Sequence, residues 1–173
     1  QTCALPILIT RLNHERRDGR WHDSEWIQYR LDLMRVTAAR SISRQTFRDF
    51  DWVILIDPRT EHIVSDWSKS SQDLGAIFCT DYSAYRYDVM FKHKPEYIYE
   101  ARIDCDDIMD DRVLEKFFTQ PAGEVEAVWL RDGYIFNAIT GEIAYSVFAN
   151  GASSAFVSRS EEHTSELQSP NTI

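Results

Sequence analysis

The chain has 173 residues, with 28 acids against 19 lysines and arginines for a net charge of −9, and 43% of its residues are hydrophobic. The acidic balance argues against an electrostatic nucleic-acid binder. No run of about 18 apolar residues is present to span a membrane, and three cysteines do not make a disulfide framework.

Both ends read as foreign to the protein. Arg159 to Ser169, RSEEHTSELQS, resembles a translated frame of a common sequencing adapter. Gln1 to Ile7, QTCALPI, resembles the translated reverse complement of the same adapter. The plainer alternative for Glu161 to Pro170 is a disordered polar tail. Residues 1–7 and 159–173 are therefore set apart from fold reasoning, and residues 8–158 are expected to form one domain that is a fragment of a longer protein. Dropping the tail's one arginine and three glutamates takes the net charge to −7. Dropping Cys3 leaves Cys79 and Cys105, which suits a reducing, cytoplasmic compartment. About 150 residues suffice for one hydrophobic core.

Leu8 to Thr10 is a short apolar strand ending at Arg11, and Asn13 to Asp23 is a polar loop. From Ser24 the period becomes helical: Ile27, Leu31, Met34, Ala38 and Ile42 share a stripe, with Ser24 as N-cap and an end near Arg44 to Phe47. Trp52 to Ile56 is a continuous apolar run stopped by Asp57-Pro58, the pattern of a strand buried on both faces. Glu61 to Gln72 predicts a short helix, Leu74 to Cys79 a third strand, and Ala84 to Lys92 a further helix. A fourth strand follows at Tyr97 to Ile103, then a helix to about Phe118 capped by Asp110 or Asp111. Val125 to Leu130 and Tyr134 to Ile139 read as a hairpin around Asp132-Gly133, and Ile143 to Phe148 as another strand. Strands alternating with helices predict an α/β fold with a Rossmann-like, mainly parallel sheet flanked by helices, and a hairpin-rich C-terminal part. In such sheets ligands sit beyond the carboxyl ends of the strands. Arg11, Asp57, Asp81 and Asp104 to Asp107 all follow strand ends, so a common crevice should collect them.

The most chemical stretch is Asp104-Cys105-Asp106-Asp107. Carboxylates crowded at the end of a buried strand are costly without a balancing cation. Asp-x-Asp sets two carboxylates on one side of a tight loop, able to share a Mg²⁺ or Mn²⁺ ion with a diphosphate. The alternative is a solvated acidic turn that caps the next helix.

Arg40 to Asp57 (RSISRQTFRDFDWVILID), followed by Tyr97 to Phe117 (YIYEARIDCDDIMDDRVLEKF), resembles the family-2 type of GT-A glycosyltransferase. Within it the chain is most similar to the rhamnosyltransferase group, whose first strand ends in Thr-Arg and an Asn, here Thr10, Arg11 and Asn13. The Ser41, Gln45, Thr46 segment is shared broadly, and the resemblance spans about Leu8 to Val157. It implies a GT-A-like fold, a nucleotide-diphosphate sugar donor, a carbohydrate or glycan acceptor, and a Mg²⁺ or Mn²⁺ ion. It implies that Asp104 and Asp106 are the metal pair, with Asp107 the neighbouring acid and Asp57 near the base or ribose. Pro58-Arg59 depart from the pattern, which often has a second Asp and Gly-Ser there. The family's general base lies downstream of the hairpin region, where Glu142 is the one acid between Gly141 and Ser158, so no catalytic base is assigned.

Arg11 suits a phosphate contact or a surface ion pair. Arg102, on the face of Asp104, suits a phosphate contact or a salt bridge to an aspartate. Cys105 reads as a packing residue whose pKa the acids raise. Trp129 and Tyr134 suit a sugar subsite or, more simply, the core, and Tyr87 and Phe91 are grouped with the core aromatics. The histidines show no zinc spacing with the cysteines. A haloacid-dehalogenase-like phosphotransferase and a non-catalytic carbohydrate-binding module are the rival functions; the former carries Asp-x-Asp on its first strand, not its fourth. Independent sequencing of the source DNA is expected to break the reading frame at both junctions; an unchanged frame would refute the adapter origin.

Overall fold

The computed structural model describes residues 4–13, 22–70, 75–119, 127–130, 132–147 and 154–159. A strand β1 (Ala4–Arg11) leads to helices α1 (Ser24–Val36) and α2 (Ala38–Ile42) and strand β2 (Asp51–Leu55). A 3₁₀ turn (Pro58–Thr60) opens into α3 (Glu61–Ser70), followed by β3 (Ala76–Cys79), α4 (Tyr82–His93), β4 (Tyr97–Arg102) and α5 (Val113–Phe118). The remaining strands are β5 (Ala127–Trp129), β6 (Asp132–Phe136), β7 (Ile143–Val147) and β8 (Ser154–Arg159).

Six strands form one sheet in the order β3-β2-β1-β4-β8-β5. β3, β2, β1 and β4 are parallel, and β8 runs antiparallel between β4 and β5. The mainly parallel α/β architecture is the expected one. Alternation divides the strands between two layers. Leu8, Trp52, Ile54, Tyr97, Tyr99 and Ile103 face the larger core with the buried residues of α1, α2, α3 and α5. Ile7, Val53, Leu55, Cys79 and Ile98 face the smaller one, against which Tyr82, Tyr85 and Met90 of α4 pack. β2 is buried on both faces, as its unbroken apolar run implies. In the larger core the Trp52 indole donates to the buried Thr10 hydroxyl at 3.0 Å.

Several boundaries differ from expectation for local reasons. β1 begins at Ala4, inside the adapter-like stretch, and pairs there with β4. Pro6 sits before β2 joins at Ile7, where β1 has β4 alone as neighbour and a missing N–H costs least. Asp23, not Ser24, caps α1, accepting from the Glu25 and Trp26 amides at 3.0 and 3.2 Å. The expected single helix breaks at Thr37, between α1 and α2. Tyr87 and Phe91, grouped with the core aromatics, lie on the exposed side of α4.

The hairpin falls one element later than expected. β5 pairs with β8 and β6 with β7, so Asp132 and Gly133 lie within a strand. The turn is made by Asn137, whose Oδ1 accepts from the Ile139 and Thr140 amides at 3.0 and 3.2 Å, and by Gly141 at φ 75°. A side-chain turn closed by a left-handed glycine outcompetes Asp-Gly. Tyr134 is 74% exposed and packs edge-on against Tyr145, so it is not a core residue. The Trp129 side chain and Val125 lie outside what the structure describes. β8 has no counterpart among the expected strands.

Trp52→Phe should leave the Thr10 hydroxyl buried without its donor and lower the unfolding free energy by about 1–3 kcal/mol in denaturant titration. The same change in a Thr10→Val background should cost less.

Candidate functional site

The strand order runs outward from β1 through β2 to β3, then returns to β4 on the other side of β1. The reversal lies between β1 and β4, and a ligand crevice in an open sheet lies beyond the carboxyl ends at that point. Each parallel pairing is continued one step past its strand end. The Leu12 amide donates to the Leu55 carbonyl, Ile56 to Cys79, and Ile103 to Ile9, each at 3.0 Å. The residues that follow are thus fixed to the sheet: Arg11 to Asn13, Asp57 to Arg59, and Asp104 to Asp107.

Each carboxylate of the Asp104–Asp107 loop has a distinct setting. Arg102 donates through Nε and Nη2 to Asp104 Oδ1 at 3.1 and 2.8 Å, so the salt-bridge reading of Arg102 is the one formed. Arg30, on α1, donates through Nη1 and Nη2 to the two oxygens of Asp106 at 3.1 and 3.4 Å. Its side chain is 14% exposed, lies over the Trp26 ring at 5.6 Å, and leaves a buried Nε without an acceptor. Burial lowers the Arg30 pKa, but Cys105, Asp106 and Asp104 outweigh it and the net direction is up. Asp107 is half-buried, and desolvation, then Asp104 and Asp106, hold its carboxyl above the usual carboxylate range. Cys105 is fully buried and its thiol is pushed up to about 11, first by burial, so packing is its role.

The loop is braced from outside. Thr37 Oγ1, at the break between α1 and α2, donates to the Leu33 carbonyl at 2.6 Å and is also 2.8 Å from the Cys105 carbonyl. Gln45 is buried and works in both directions: Nε2 donates to the Asp110 carbonyl at 2.8 Å, and Oε1 accepts from the Leu114 amide at 3.0 Å. The Thr46 amide donates to the Asp111 carbonyl at 2.8 Å, and its hydroxyl to Glu115 at 2.9 Å. Gln45 therefore satisfies the first turn of α5, which corrects the expectation that Asp110 or Asp111 caps it. Asp110 accepts from the Arg112 amide at 3.1 Å, and Asp111 pairs with Arg44 at 3.1 Å.

The second arm of the crevice is Asp57. It is buried, and Arg59 occupies both oxygens: Nε to Oδ1 at 2.9 Å and Nη2 to Oδ2 at 2.7 Å, with the Arg59 amide also on Oδ1 at 2.9 Å. Asn13 Oδ1 accepts from the Asp57 amide at 3.1 Å, and its Nδ2 donates to Thr60 at 2.8 Å. Arg59, the departure from the resembled pattern, thus faces solvent while holding Asp57. Arg11 ends β1 exposed, with no side-chain ion pair among the described residues. Asp81 caps α4 through the Ala84 amide at 3.0 Å and serves the helix.

Among the described residues no three His, Cys, Asp or Glu side chains are grouped to hold a metal ion. The Asp104 and Asp106 side chains are 42% and 49% exposed. Such a pair fits an ion that takes one or two carboxylates and fills its shell with phosphate oxygens, not one caged by protein. Sequence reasoning missed Arg30 and Thr37, and read Arg59 only as a departure from the resembled pattern. Arg30 had a signal: it lies three residues after Ile27 and four before Met34, on the edge of the buried stripe.

No protein-family model matches the chain, and no curated protein does. Among solved structures it is similar to a cytidylyltransferase from Leptospira borgpetersenii serovar Hardjo-bovis, at 16% identity and a TM-score of 0.45. That likeness covers 90% of this chain and 60% of the other, so this chain spans under two thirds of that protein's length. It is also similar to a CMP:2-keto-3-deoxy-manno-octonic acid synthetase complexed with CTP, at 13% identity and a TM-score of 0.39, over 98% of this chain and 79% of that one. Likenesses of this strength inform neither activity nor substrate. No helix among the described residues is long and apolar enough to cross a membrane.

Two outcomes follow. Gln45→Leu should cost about 2–3 kcal/mol by thermal or chemical unfolding, since the Asp110 carbonyl and Leu114 amide both lose their partner; Gln45→Glu, which sets a buried carboxylate against the Asp110 and Ser41 carbonyls, should cost at least as much. Asp107 has a raised folded-state pKa, so the stability it confers is present below the ordinary aspartate range and is lost as pH rises through its elevated value. Asp107→Asn should therefore stabilise the protein at neutral pH and flatten its stability profile over that window.

Proposed function

We propose that this chain is the donor-binding part of a metal-dependent glycosyltransferase. It would transfer a sugar, rhamnosyl by the resemblance drawn from sequence, from a nucleotide-diphosphate donor to a carbohydrate hydroxyl. The observation that supports it best is the half-exposed carboxylate pair, Asp104 and Asp106, directly after β4 at the reversal of strand order.

Asp104 and Asp106 would hold Mg²⁺ or Mn²⁺, which when bound neutralises charge on a departing nucleotide diphosphate. Arg102 and Arg30 orient the two carboxylates. Arg11, exposed beside the same crevice, offers a guanidinium to a phosphate. Asp57 would take a ribose hydroxyl by exchanging part of its contact with Arg59, whose guanidinium then turns to the phosphates. No described residue takes the part of general base: Glu142, the one acid considered for it, lies at the hairpin turn beside Thr140. A phosphotransferase using Asp104 as nucleophile gains no support, since Asp104 follows the fourth strand and both donors of Arg102 occupy one of its oxygens.

Calorimetric titration with a panel of nucleoside diphosphates should show binding that requires Mn²⁺, weakened about tenfold or more in Asp106→Asn. Absent or metal-independent binding by folded protein would refute the transferase reading. Covalent capture of a phosphate analogue at Asp104 would favour the phosphotransferase instead.

A further inference from the structure

β6 and β7 form a two-stranded sheet of their own, joined among the described residues to no strand of the larger one. Their register sets Tyr134 opposite Tyr145 and Phe136 opposite Ile143, and alternation puts these four on one face with Val147. Each of the five is between 50% and 74% exposed. On the other face Ile135 is the one large apolar side chain. A two-stranded ribbon is marginal in water unless something covers it, and a contiguous apolar face of this size marks an interaction surface. Residues 132–147 contain no lysine or arginine but two acids, Asp132 and Glu142, so an anionic membrane or a polyanion would meet no attraction there. A sugar stacks on a flat aromatic platform, whereas the Tyr134 and Tyr145 rings meet edge-on at 67°.

We propose that this face is a homodimer surface, closed by the same face of a second copy of the chain. The inference stands apart from the transferase reading. The exposed parts of the five side chains amount to about 600 Å² per copy, so closing two faces buries about 1,200 Å², the lower bound of a specific interface. Tyr134 and Tyr145 are the middle residues of β6 and β7. A twofold axis over that pair sets apolar surface on apolar surface and makes the contact self-complementary. Two ribbons stacked in this way form a four-stranded sandwich with the usual spacing of about 10 Å. Asp132, the one charged side chain on the face, lies at the end of the ladder remote from the turn, where the Tyr145 hydroxyl bonds it, so it falls on the rim. An area at the lower bound gives association in the micromolar range. The charge of −9 on each copy opposes it, so salt should tighten it.

Sedimentation equilibrium of the full chain over a concentration series should show a reversible monomer–dimer equilibrium that tightens as salt rises. Tyr134→Thr and Phe136→Thr, which keep strand-forming residues at exposed positions, should each weaken the dimer about tenfold or more. Ile135→Thr, on the other face, should leave it unchanged. In the unaltered chain, hydrogen exchange of the β6 and β7 amides should slow as protein concentration rises. That arm needs no substitution, so it decides alone should a variant unfold: a dimer with no slowing in β6 and β7 places the interface elsewhere and refutes the proposal. A chain that stays monomeric across the series overturns it. So does a dimer that Ile135→Thr weakens as much as the facing variants, or that none of the three alters. A monomer that instead floats with neutral phosphatidylcholine vesicles assigns the face to lipid and overturns the proposal too.

Discussion

The segment leaving β4 carries five aspartates, Asp104, Asp106, Asp107, Asp110 and Asp111, within eight residues, and the organisation of this end of the fold depends on how that charge is balanced. Three of the five pair with an arginine side chain, Arg102 from the strand, Arg30 from α1, and Arg44 from just beyond α2, and Asp110 accepts from the Arg112 amide. Asp107 has no arginine partner of its own among the described residues, and burial, then Asp104 and Asp106, hold its pKa up. The more exposed pairs contribute little to stability by themselves. The Arg30–Asp106 pair differs, because removing Asp106 would leave a nearly buried guanidinium short of acceptors. Of the three pairs, this one therefore makes α1 and the loop dependent on each other.

Neutral hydrogen bonds make the same connection from the backbone side. Thr37, Gln45 and Thr46 contact the carbonyls of Cys105, Asp110 and Asp111, and Gln45 also receives the Leu114 amide. A loop held by its carbonyls fixes its backbone without using its carboxylates, which the arginines hold instead. This gives the Ser41, Gln45, Thr46 segment a physical reason: it touches no crevice surface itself, yet it sets where the acids sit. Preorganisation of this kind reduces what a ligand must spend on ordering the loop.

The layered fold was legible because the decisive signals are local. The apolar run of β2 and the abrupt acidic end of β4 announce buried parallel strands, and the acid loop could be placed at a strand end from topology alone. The partners of those acids were not legible. Arg30 meets Asp106, and Gln45 meets Asp110, across more than sixty residues, and helical periodicity marks a residue's face without naming what lies opposite. The hairpin was misplaced for a different reason. Asp132-Gly133 is a good turn pair in isolation, but Asn137 and Gly141 build a turn with its own hydrogen bonds and leave Asp-Gly inside β6. β8 was missed because its pairing with β4 is a tertiary fact that its short sequence does not announce.

The two acids of the crevice are restrained on different length scales, and this separates their responses to a ligand. Asp57 is held by Arg59, two residues on, within the same 3₁₀ turn, and that guanidinium is 66% exposed. Opening this contact needs a side-chain rotation into water, which leaves the sheet and helices unmoved. Asp106 is held across the fold by a nearly buried arginine wedged against Trp26. Opening that contact requires a replacement anion for Arg30, since a guanidinium there cannot recover full hydration. The Asp57 side of the crevice is thus free to adapt locally, while the Asp106 side is a coupled unit of loop, helix α1 and charge.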